Sequence, residues 1–159
     1  MSWWFDEYGW GPVAADLATG AYPQDAGDVA VLREAGVTTV LNLCDDVEYA
    51  PGARAEVERA YAAAGIVEHR LVSEDYGNLA PEVLEEGARV AGAALDAGRR
   101  VYVHCRAGWQ RSATVAAAAL VVRDGLDPLA ALAVIAERRP QARPLGHQVS
   151  DLRRWWHDR

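Results

Sequence analysis

Lysine is missing from the 159-residue chain, whose sixteen basic residues are all arginine. This absence excludes Schiff-base chemistry on a lysine and nucleotide binding through the lysine of a P-loop. Acidic residues number 23, and the net charge of −7 argues against a protein that binds nucleic acid or anionic membranes. We therefore expect any anion that the chain binds to be held by arginine side chains.

Cysteine is almost as scarce, since Cys44 and Cys105 are the only two in the sequence. No apolar run approaches the length of a membrane span, and no basic segment precedes an apolar stretch near the first residue. These absences predict a cytoplasmic protein without a secretory signal, in which both thiols stay reduced. Each cysteine then serves either packing or chemistry.

Apolar residues alternate between short runs typical of strands and longer runs typical of helices, which favours a sheet covered by helices. We therefore predict a single α/β domain over residues 1–159. Predicted strands cover residues 13–17, 37–43, 66–72 and 101–104. Predicted helices cover residues 25–35, 51–64, 81–97, 112–122 and 128–138, and a last helix carries Val149, Leu152 and Trp155 or Trp156.

The segment HCRAGWQRS, residues 104–112, joins a predicted buried strand to a predicted buried helix. The amides of such a loop and the N-terminus of the helix converge on one point and form a cradle for an anion. Arg111 follows Cys105 with five residues between them, and its guanidinium can grip two oxygens of a phosphate. The same field stabilises a thiolate, which makes Cys105 a candidate nucleophile.

The neighbours of Cys105 have predicted roles in the same loop. His104 can order the loop through a hydrogen bond to its backbone, and the Ser112 hydroxyl can stabilise the thiolate when it becomes the leaving group. Glycine at position 108 allows a sharp turn. The residues predicted to surround the phosphate are Arg106, Ala107, Gly108, Trp109, Gln110 and Arg111.

This segment resembles the signature loop of the cysteine-dependent protein tyrosine phosphatase superfamily, and the short chain resembles its dual-specificity branch. Residues 20–23, the run Val40-Leu41-Asn42-Leu43 and residues 143–152 are also similar to that branch. The resemblance implies a tyrosine-phosphatase-like fold with a central, mostly parallel mixed sheet of four to five strands and helices on both faces. It also implies phosphate-ester hydrolysis through a phosphocysteine intermediate, without a metal or cofactor.

The family also uses an aspartate on a mobile loop about thirty residues before the cysteine, and here the resemblance points to Asp75, with Glu74 as the alternative. Gly77 lies beside it and would supply the freedom of a hinge. Asp75 would protonate the leaving oxygen in the first step and activate water in the second.

On this basis we expect the substrate to be phosphotyrosine in proteins, with phosphoserine, phosphothreonine or small phosphomonoesters as further substrates. One alternative is a phosphoinositide or phospholipid phosphatase, because a basic residue at the position of Arg106 resembles the loop of such enzymes. Another is a phosphate-binding module without turnover. No nucleic-acid or membrane partner is expected, and the sequence does not indicate an oligomeric state.

Two further features have open interpretations. Cys44 is predicted to pack in the core, and the resemblance offers the alternative of a redox partner that forms a disulfide with oxidised Cys105. Trp3, Trp4 and Trp10 are predicted to pack against the domain, with the mouth of the site as the alternative location.

Overall fold

Five β-strands and seven α-helices make up the computed structural model, which describes all 159 residues. The strands are β1 (Trp10–Ala14), β2 (Leu17–Gly20), β3 (Val37–Asn42), β4 (Val67–Arg70) and β5 (Arg100–His104). The helices are α1 (Trp3–Tyr8), α2 (Ala26–Glu34), α3 (Ala53–Ala64), α4 (Pro81–Asp96), α5 (Arg111–Asp124), α6 (Pro128–Arg138) and α7 (Gly146–Asp158). A short 3₁₀ helix, Asp46–Glu48, follows β3.

The strands form one sheet in the order β1-β2-β5-β3-β4. β1 and β2 pair antiparallel as a hairpin, whereas β2, β5, β3 and β4 pair parallel to one another. The predicted mostly parallel mixed sheet is thereby confirmed, with five strands. β5 lies at the centre, and its residues Val101 to His104 are fully buried. Because parallel strands end at the same edge of a sheet, the residues that follow β3 and β5 meet there.

Helices cover both faces of this sheet. One apolar cluster joins the sheet to α4, α5, α6 and α7, and a second joins its other face to α2 and α3. α5 is buried over residues 111–121, because the sheet lies on one side of it and α4 and α6 contact it on others. This central position explains why its sequence is apolar nearly all round. The chain is a single α/β domain, as predicted.

The first twenty residues correct the prediction of one strand over residues 13–17. A hairpin occupies this region, and its turn falls at residues 15–16, where Asp16 has a φ of 61°. The turn has neither a glycine nor an Asn-Gly pair, so the sequence carries no strong signal for it. Pro12 is tolerated because β1 lies at the edge of the sheet.

α1 was not predicted, because six residues are too few to show a helical period. The Ser2 side chain caps it by accepting a hydrogen bond from the Phe5 amide, and Phe5 is buried beneath it. The other predicted elements are present with shifted ends: the helix expected from residue 51 begins at Ala53, and the strand expected over 66–72 spans Val67–Arg70. None of the helices combines the length and the apolarity needed to cross a bilayer.

Candidate active site

Residues 105–110, called the phosphate loop below, connect β5 directly to α5. Gly108 has a φ of +78°, and a Cβ atom there would lie 2.4 Å from the backbone of Gly20. Only glycine therefore fits this position. The backbone of the loop is also tied from outside, because the Arg106 carbonyl accepts hydrogen bonds from the Tyr22 amide at 3.1 Å and the Trp4 indole at 2.7 Å.

A cleft of about 230 Å³ opens over this loop. Its walls include four aromatic side chains, which are Trp4, Tyr8, Tyr76 and Trp109. The other lining residues are Asp75, Cys105, Arg106, Ala107 and Gln110. A larger groove of about 550 Å³ lies between α4 and α7, but neither cysteine lines it. The chemistry of the lining residues, rather than size, therefore identifies the smaller cleft as the candidate site.

Cys105 is only 4% exposed and lines the cleft. Its Sγ lies 3.3 Å from the Ser112 Oγ, within reach of a hydrogen bond. Ser112 occupies the first turn of α5, so the sulfur also lies near the positive end of that helix. This arrangement can stabilise negative charge on the sulfur from two sides.

Arg111 is 1% exposed, and four hydrogen bonds and one further ion pair fix its guanidinium. Its Nη1 donates to the carbonyls of Leu43 at 3.2 Å and Ser73 at 2.8 Å. The Glu48 carboxylate accepts hydrogen bonds from both terminal nitrogens, from Nη1 at 3.0 Å and from Nη2 at 2.7 Å. Asp75 Oδ1 lies 3.1 Å from Nη2. The buried Nε has no partner in the protein. Nε is thus the one guanidinium nitrogen without a protein partner, but Arg111 is not among the residues that line the cleft.

Glu48 is a functional candidate that sequence reasoning missed. Its carboxylate orients Arg111, and it also accepts a hydrogen bond from the Asp45 amide at 2.7 Å as part of a capping box around the 3₁₀ helix. Burial alone would lower the pKa of Arg111, but the hydrogen bonds to Glu48 and the nearby thiols raise it. The pattern D-x-x-E at residues 45–48 was the signal available in the sequence.

His104 is fully buried at the end of β5. Burial lowers its pKa to about 3, and the positive charges of Arg54, Arg111 and Arg70 act in the same direction. The ring is therefore neutral near pH 7, and its Nδ1 lies 3.2 Å from the Cys105 carbonyl oxygen, to which the Nδ1–H tautomer donates. A neutral, buried ring orders the backbone beside the sulfur without adding charge there.

Residues 73–80, called the acid loop below, form the opposite wall of the cleft. Asp75 lines the cleft and contacts Arg111, whereas Glu74 is exposed and is not among the lining residues. The turn from Glu74 to Gly77 is closed by the Gly77 amide, which donates to the Glu74 carbonyl at 2.9 Å. Tyr76, rather than Gly77, takes the left-handed conformation, with a φ of 62°. Gly77 is needed because a Cβ would lie 2.9 Å from that of Glu74.

Cys44 is fully buried at the end of β3, next to the phosphate loop. The Leu43 amide donates to the His104 carbonyl at 3.0 Å, so the segments that carry the two cysteines run side by side. Burial raises the pKa of Cys44 well above its usual value, and the charges of Glu48 and Cys105 raise it further. Both cysteines are free.

Two aromatic residues of α1 pack against the phosphate loop. Trp4 has the guanidinium of Arg106 over its ring at 5.0 Å, and Tyr8 contacts Trp109 edge-on at 5.4 Å. Trp3 is 69% exposed and packs against Trp4. Trp10 instead packs against Tyr102 in the sheet. The N-terminal aromatic residues thus divide between packing and lining the mouth of the cleft.

Nowhere in the chain do three or more His, Cys, Asp or Glu side chains converge as metal ligands would.

Comparison with known proteins gives one family. A family model described as the dual specificity phosphatase catalytic domain matches residues 20–158, which include both loops and every residue of the site except those of α1. A search of curated proteins finds no significant match.

Solved structures of phosphatases superpose over nearly the whole chain. PTPMT1 has a TM-score of 0.82 at 25% identity, over 94% of this chain and 94% of that chain, and its complex with PI(5)P has a TM-score of 0.83 at 24% identity, over 94% and 95%. Human DUSP28 has a TM-score of 0.74 at 28% identity, over 92% of each chain. Kinase associated phosphatase has a TM-score of 0.80 at 20% identity, over 94% and 93%.

Proposed function

The chain belongs to the dual specificity phosphatase catalytic domain family, and from this premise we propose that it hydrolyses phosphotyrosine in proteins, with phosphoserine and phosphothreonine as further substrates. Membership of the family makes it a phosphatase of the cysteine-dependent kind. The observation that carries the choice of phosphotyrosine is the cleft over Cys105, whose nine lining residues include four aromatic side chains.

The burial of Cys105 and the lining of its cleft favour an aromatic phosphate ester. Cys105 is only 4% exposed, which favours a phosphate carried on a long group, and a tyrosine ring provides that length. Ring contacts with Tyr8, Tyr76 or Trp109 would each add about 0.5–1.5 kcal/mol beyond burial of area. A serine phosphate is shorter and makes no such contact, which supports a preference for phosphotyrosine.

The proposed reaction begins with attack of the Cys105 thiolate on phosphorus, in line with the leaving oxygen. A sulfur–phosphorus bond forms and the phosphorus–oxygen bond breaks, while Asp75 gives its proton to the departing oxygen. The free Nε of Arg111 and the amides of the phosphate loop hold the remaining oxygens, where the negative charge of the transition state resides.

Water completes the proposed reaction. Asp75, now a carboxylate, takes a proton from a water molecule that attacks the phosphocysteine, and phosphate leaves as the sulfur–phosphorus bond breaks. The Ser112 hydroxyl, 3.3 Å from the sulfur, stabilises the thiolate that is released. Glu48 has no contact with substrate in this scheme and acts by fixing Arg111.

Arg106 favours a second candidate function, the hydrolysis of phosphoinositides. Its guanidinium stands over Trp4 at the rim of the cleft, where it could pair with a second phosphate on an inositol ring. PTPMT1, whose structure this chain resembles, has been crystallised with PI(5)P. In this candidate the reacting groups stay the same and only the group that carries the phosphate changes.

A phosphate-release panel tests both candidates. Phosphotyrosine peptides, phosphothreonine peptides and PI(5)P are compared with the wild-type protein, with Cys105→Ser, and with Cys44→Ser as the matched control. We expect the highest kcat/KM on phosphotyrosine peptides, no turnover by Cys105→Ser and nearly normal turnover by Cys44→Ser.

The other outcomes of this panel are equally informative. Faster release from PI(5)P, lost selectively in Arg106→Ala, would replace the first candidate by the second. Turnover by Cys105→Ser at the wild-type rate would overturn the mechanism. Release from none of the substrates would reduce the chain to a phosphate-binding module.

A further inference from the structure

Three side chains on the first two turns of α7 bind the backbone of the acid loop. The Tyr76 carbonyl oxygen accepts a hydrogen bond from His147 Nε2 at 2.9 Å. Gln148 Nε2 donates to the Gly77 carbonyl at 3.1 Å, and Asp151 Oδ2 accepts from the Leu79 amide at 2.9 Å. We call this set of three side chains the α7 clasp.

The clasp satisfies loop groups that have no other partner. The carbonyls of Tyr76 and Gly77 and the amide of Leu79 make no backbone hydrogen bond. Besides the clasp, three residues join the acid loop to the rest of the domain. Ser73 bonds through its amide to Leu43 and through its carbonyl to Arg111, Asp75 contacts Arg111, and Leu79 is buried in the apolar core.

Burial and hydrogen bonding restrict two members of the clasp. Gln148 is fully buried, and its Oε1 accepts a hydrogen bond from the Leu145 amide at 3.0 Å, so its Nε2 can only face the loop. Asp151 has only 11% of its side chain exposed. On the loop side, Tyr76 holds a left-handed conformation, which for a residue other than glycine costs roughly 1–3 kcal/mol and persists only where its surroundings enforce it.

We propose that His147, Gln148 and Asp151 are positioning residues that hold Asp75 at the reacting centre. Asp75 immediately precedes the first clasped residue, so the clasp fixes the backbone from which its carboxylate reaches Arg111. The acid loop is then set in its working position by α7, and Gly77 serves as a tight-turn residue instead of a hinge. This inference rests on the proposed function, in which Asp75 is the general acid.

Leaving-group dependence distinguishes a positioning role from a structural one. A phenolate, with a conjugate-acid pKa of about 10, needs a proton as it leaves, whereas a nitrophenolate leaves readily without one. A displaced general acid therefore slows phenyl phosphate and spares para-nitrophenyl phosphate. A damaged fold slows both substrates alike.

The test compares kcat/KM on these two esters. Asp75→Asn is the reference variant, and it should lose roughly 100-fold or more on phenyl phosphate and much less on the nitrophenyl ester. The double variant His147→Ala/Asp151→Ala should lose about tenfold on phenyl phosphate and less than about twofold on the nitrophenyl ester, a fraction of the general-acid effect. Because His147 is exposed, His147→Ala alone provides a variant in which folding is not at risk, with a smaller loss of the same kind.

Two further variants serve as controls. Asp151→Asn keeps an oxygen acceptor for the Leu79 amide. With His147 intact, this single variant should therefore turn over phenyl phosphate faster than Asp151→Ala does. Arg154→Ala removes an exposed side chain that approaches the other oxygen of Asp151 at 3.7 Å, and it should behave as the wild type on both esters.

The outcomes separate this inference from the proposed function. Equal losses on both esters in the double variant would overturn the clasp alone. So would a double variant without any loss, if Asp75→Asn is strongly impaired. An Asp75→Asn variant that shows no leaving-group dependence would overturn both the role of Asp75 and the clasp.

Discussion

The phosphate loop and the acid loop face the same cleft, but they are held in place by different means. The phosphate loop continues from the central strand β5 into the most buried helix, α5, and its backbone lies against that of Gly20. The acid loop lies between β4 and α4 and depends on side chains of α7, more than sixty positions later in the chain. The phosphate loop is therefore held by its flanking strand and helix together with contacts to its backbone from residues 4–22, whereas the acid loop depends on side chains of a distant helix.

This difference divides the proposed chemistry in two. The phosphate loop binds the group that every substrate shares, so an error in its backbone should remove all activity. The acid loop supplies a proton that only some leaving groups need, so an error there should be selective. Substitutions in each loop test the contrast.

The largest expected effect comes from Gly108→Ala. The new Cβ would collide with the backbone of Gly20 at 2.4 Å, which cannot yield as a side chain could. We expect a loss of roughly 3–4 kcal/mol in the free energy of unfolding, and a fall of about 1000-fold in kcat/KM as the loop amides lose alignment.

Gly98→Ala is the matched control for this substitution. Gly98 has a similar φ of +75°, but no atom lies within 4 Å of the position of its Cβ. Urea unfolding should show a loss of about 1 kcal/mol, with unchanged turnover. Equal effects of the two substitutions would mean that left-handed strain, and not the collision with Gly20, holds the phosphate loop.

Glu48→Gln should have the next largest effect, because it breaks the buried ion pair that orients Arg111. Removing one partner of such a pair costs about 3 kcal/mol of stability, and kcat/KM should fall on phenyl and nitrophenyl esters alike. Asp46→Asn is the control, since that side chain is 70% exposed and its ion pairs are worth less than about 1 kcal/mol. If the loss in Glu48→Gln depended on the leaving group, Glu48 would act on proton transfer by Asp75 rather than on phosphate binding.

The same contrast explains what the sequence could and could not predict. The single α/β domain was predictable, because most of its strands and helices carry their own period, and the family resemblance implied the mostly parallel sheet. Residues 104–112 were interpretable as an anion cradle because strand, loop and helix follow one another without interruption. The family resemblance, rather than any local pattern, indicated Asp75.

The missed features involve residues that are distant in sequence or patterns that are too short. Glu48 and Arg111 are 63 positions apart, and His147 and Tyr76 are 71 apart, so no periodicity links them. α1 is a single short helix, and the turn at Asp16 lacks a turn signature. Each of these features depends on packing that only the folded chain provides.

A change of pH should reveal a stability cost of His104, the residue that directly precedes the phosphate loop. Burial lowers the pKa of His104 to about 3, from an ordinary value of 6.5. Between these values the unfolded chain binds a proton that the folded chain does not, so stability falls as the pH falls from about 6.5 towards 3, by at most about 1.4 kcal/mol per unit.

Urea unfolding at a series of pH values measures this slope. His104→Asn keeps an amide donor for the Cys105 carbonyl and cannot be protonated, so it should flatten the slope. The exposed residue His157 offers the control His157→Asn, which should leave the slope as in the wild type. Identical slopes for His104→Asn and the wild type would show that the buried ring makes no contribution.

Cys44→Ser should have the smallest effect on the activity of the resting enzyme, because the role proposed for Cys44 begins only after oxidation of Cys105. Peroxide converts the Cys105 thiolate to a sulfenic acid, and attack by the Cys44 sulfur would then form a disulfide and release water. We propose this bridge because the two cysteines follow the ends of neighbouring parallel strands, and a Leu43–His104 hydrogen bond joins the residues directly before them. The raised pKa of Cys44 keeps it a thiol in the resting state, so Cys44→Ser should change turnover by less than about twofold without oxidant.

The two proteins should differ after brief treatment with peroxide. The wild type should recover its activity when a dithiol reductant is added, and mass spectrometry should show Cys44 linked to Cys105. Cys44→Ser should instead lose activity permanently as Cys105 proceeds to sulfonic acid. Sulfonic acid at Cys105 in the wild type, with Cys44 still a free thiol, would contradict the bridge. In that case Cys44 only fills the space where β3 ends, and the phosphate loop has no protection against oxidation from the adjacent strand.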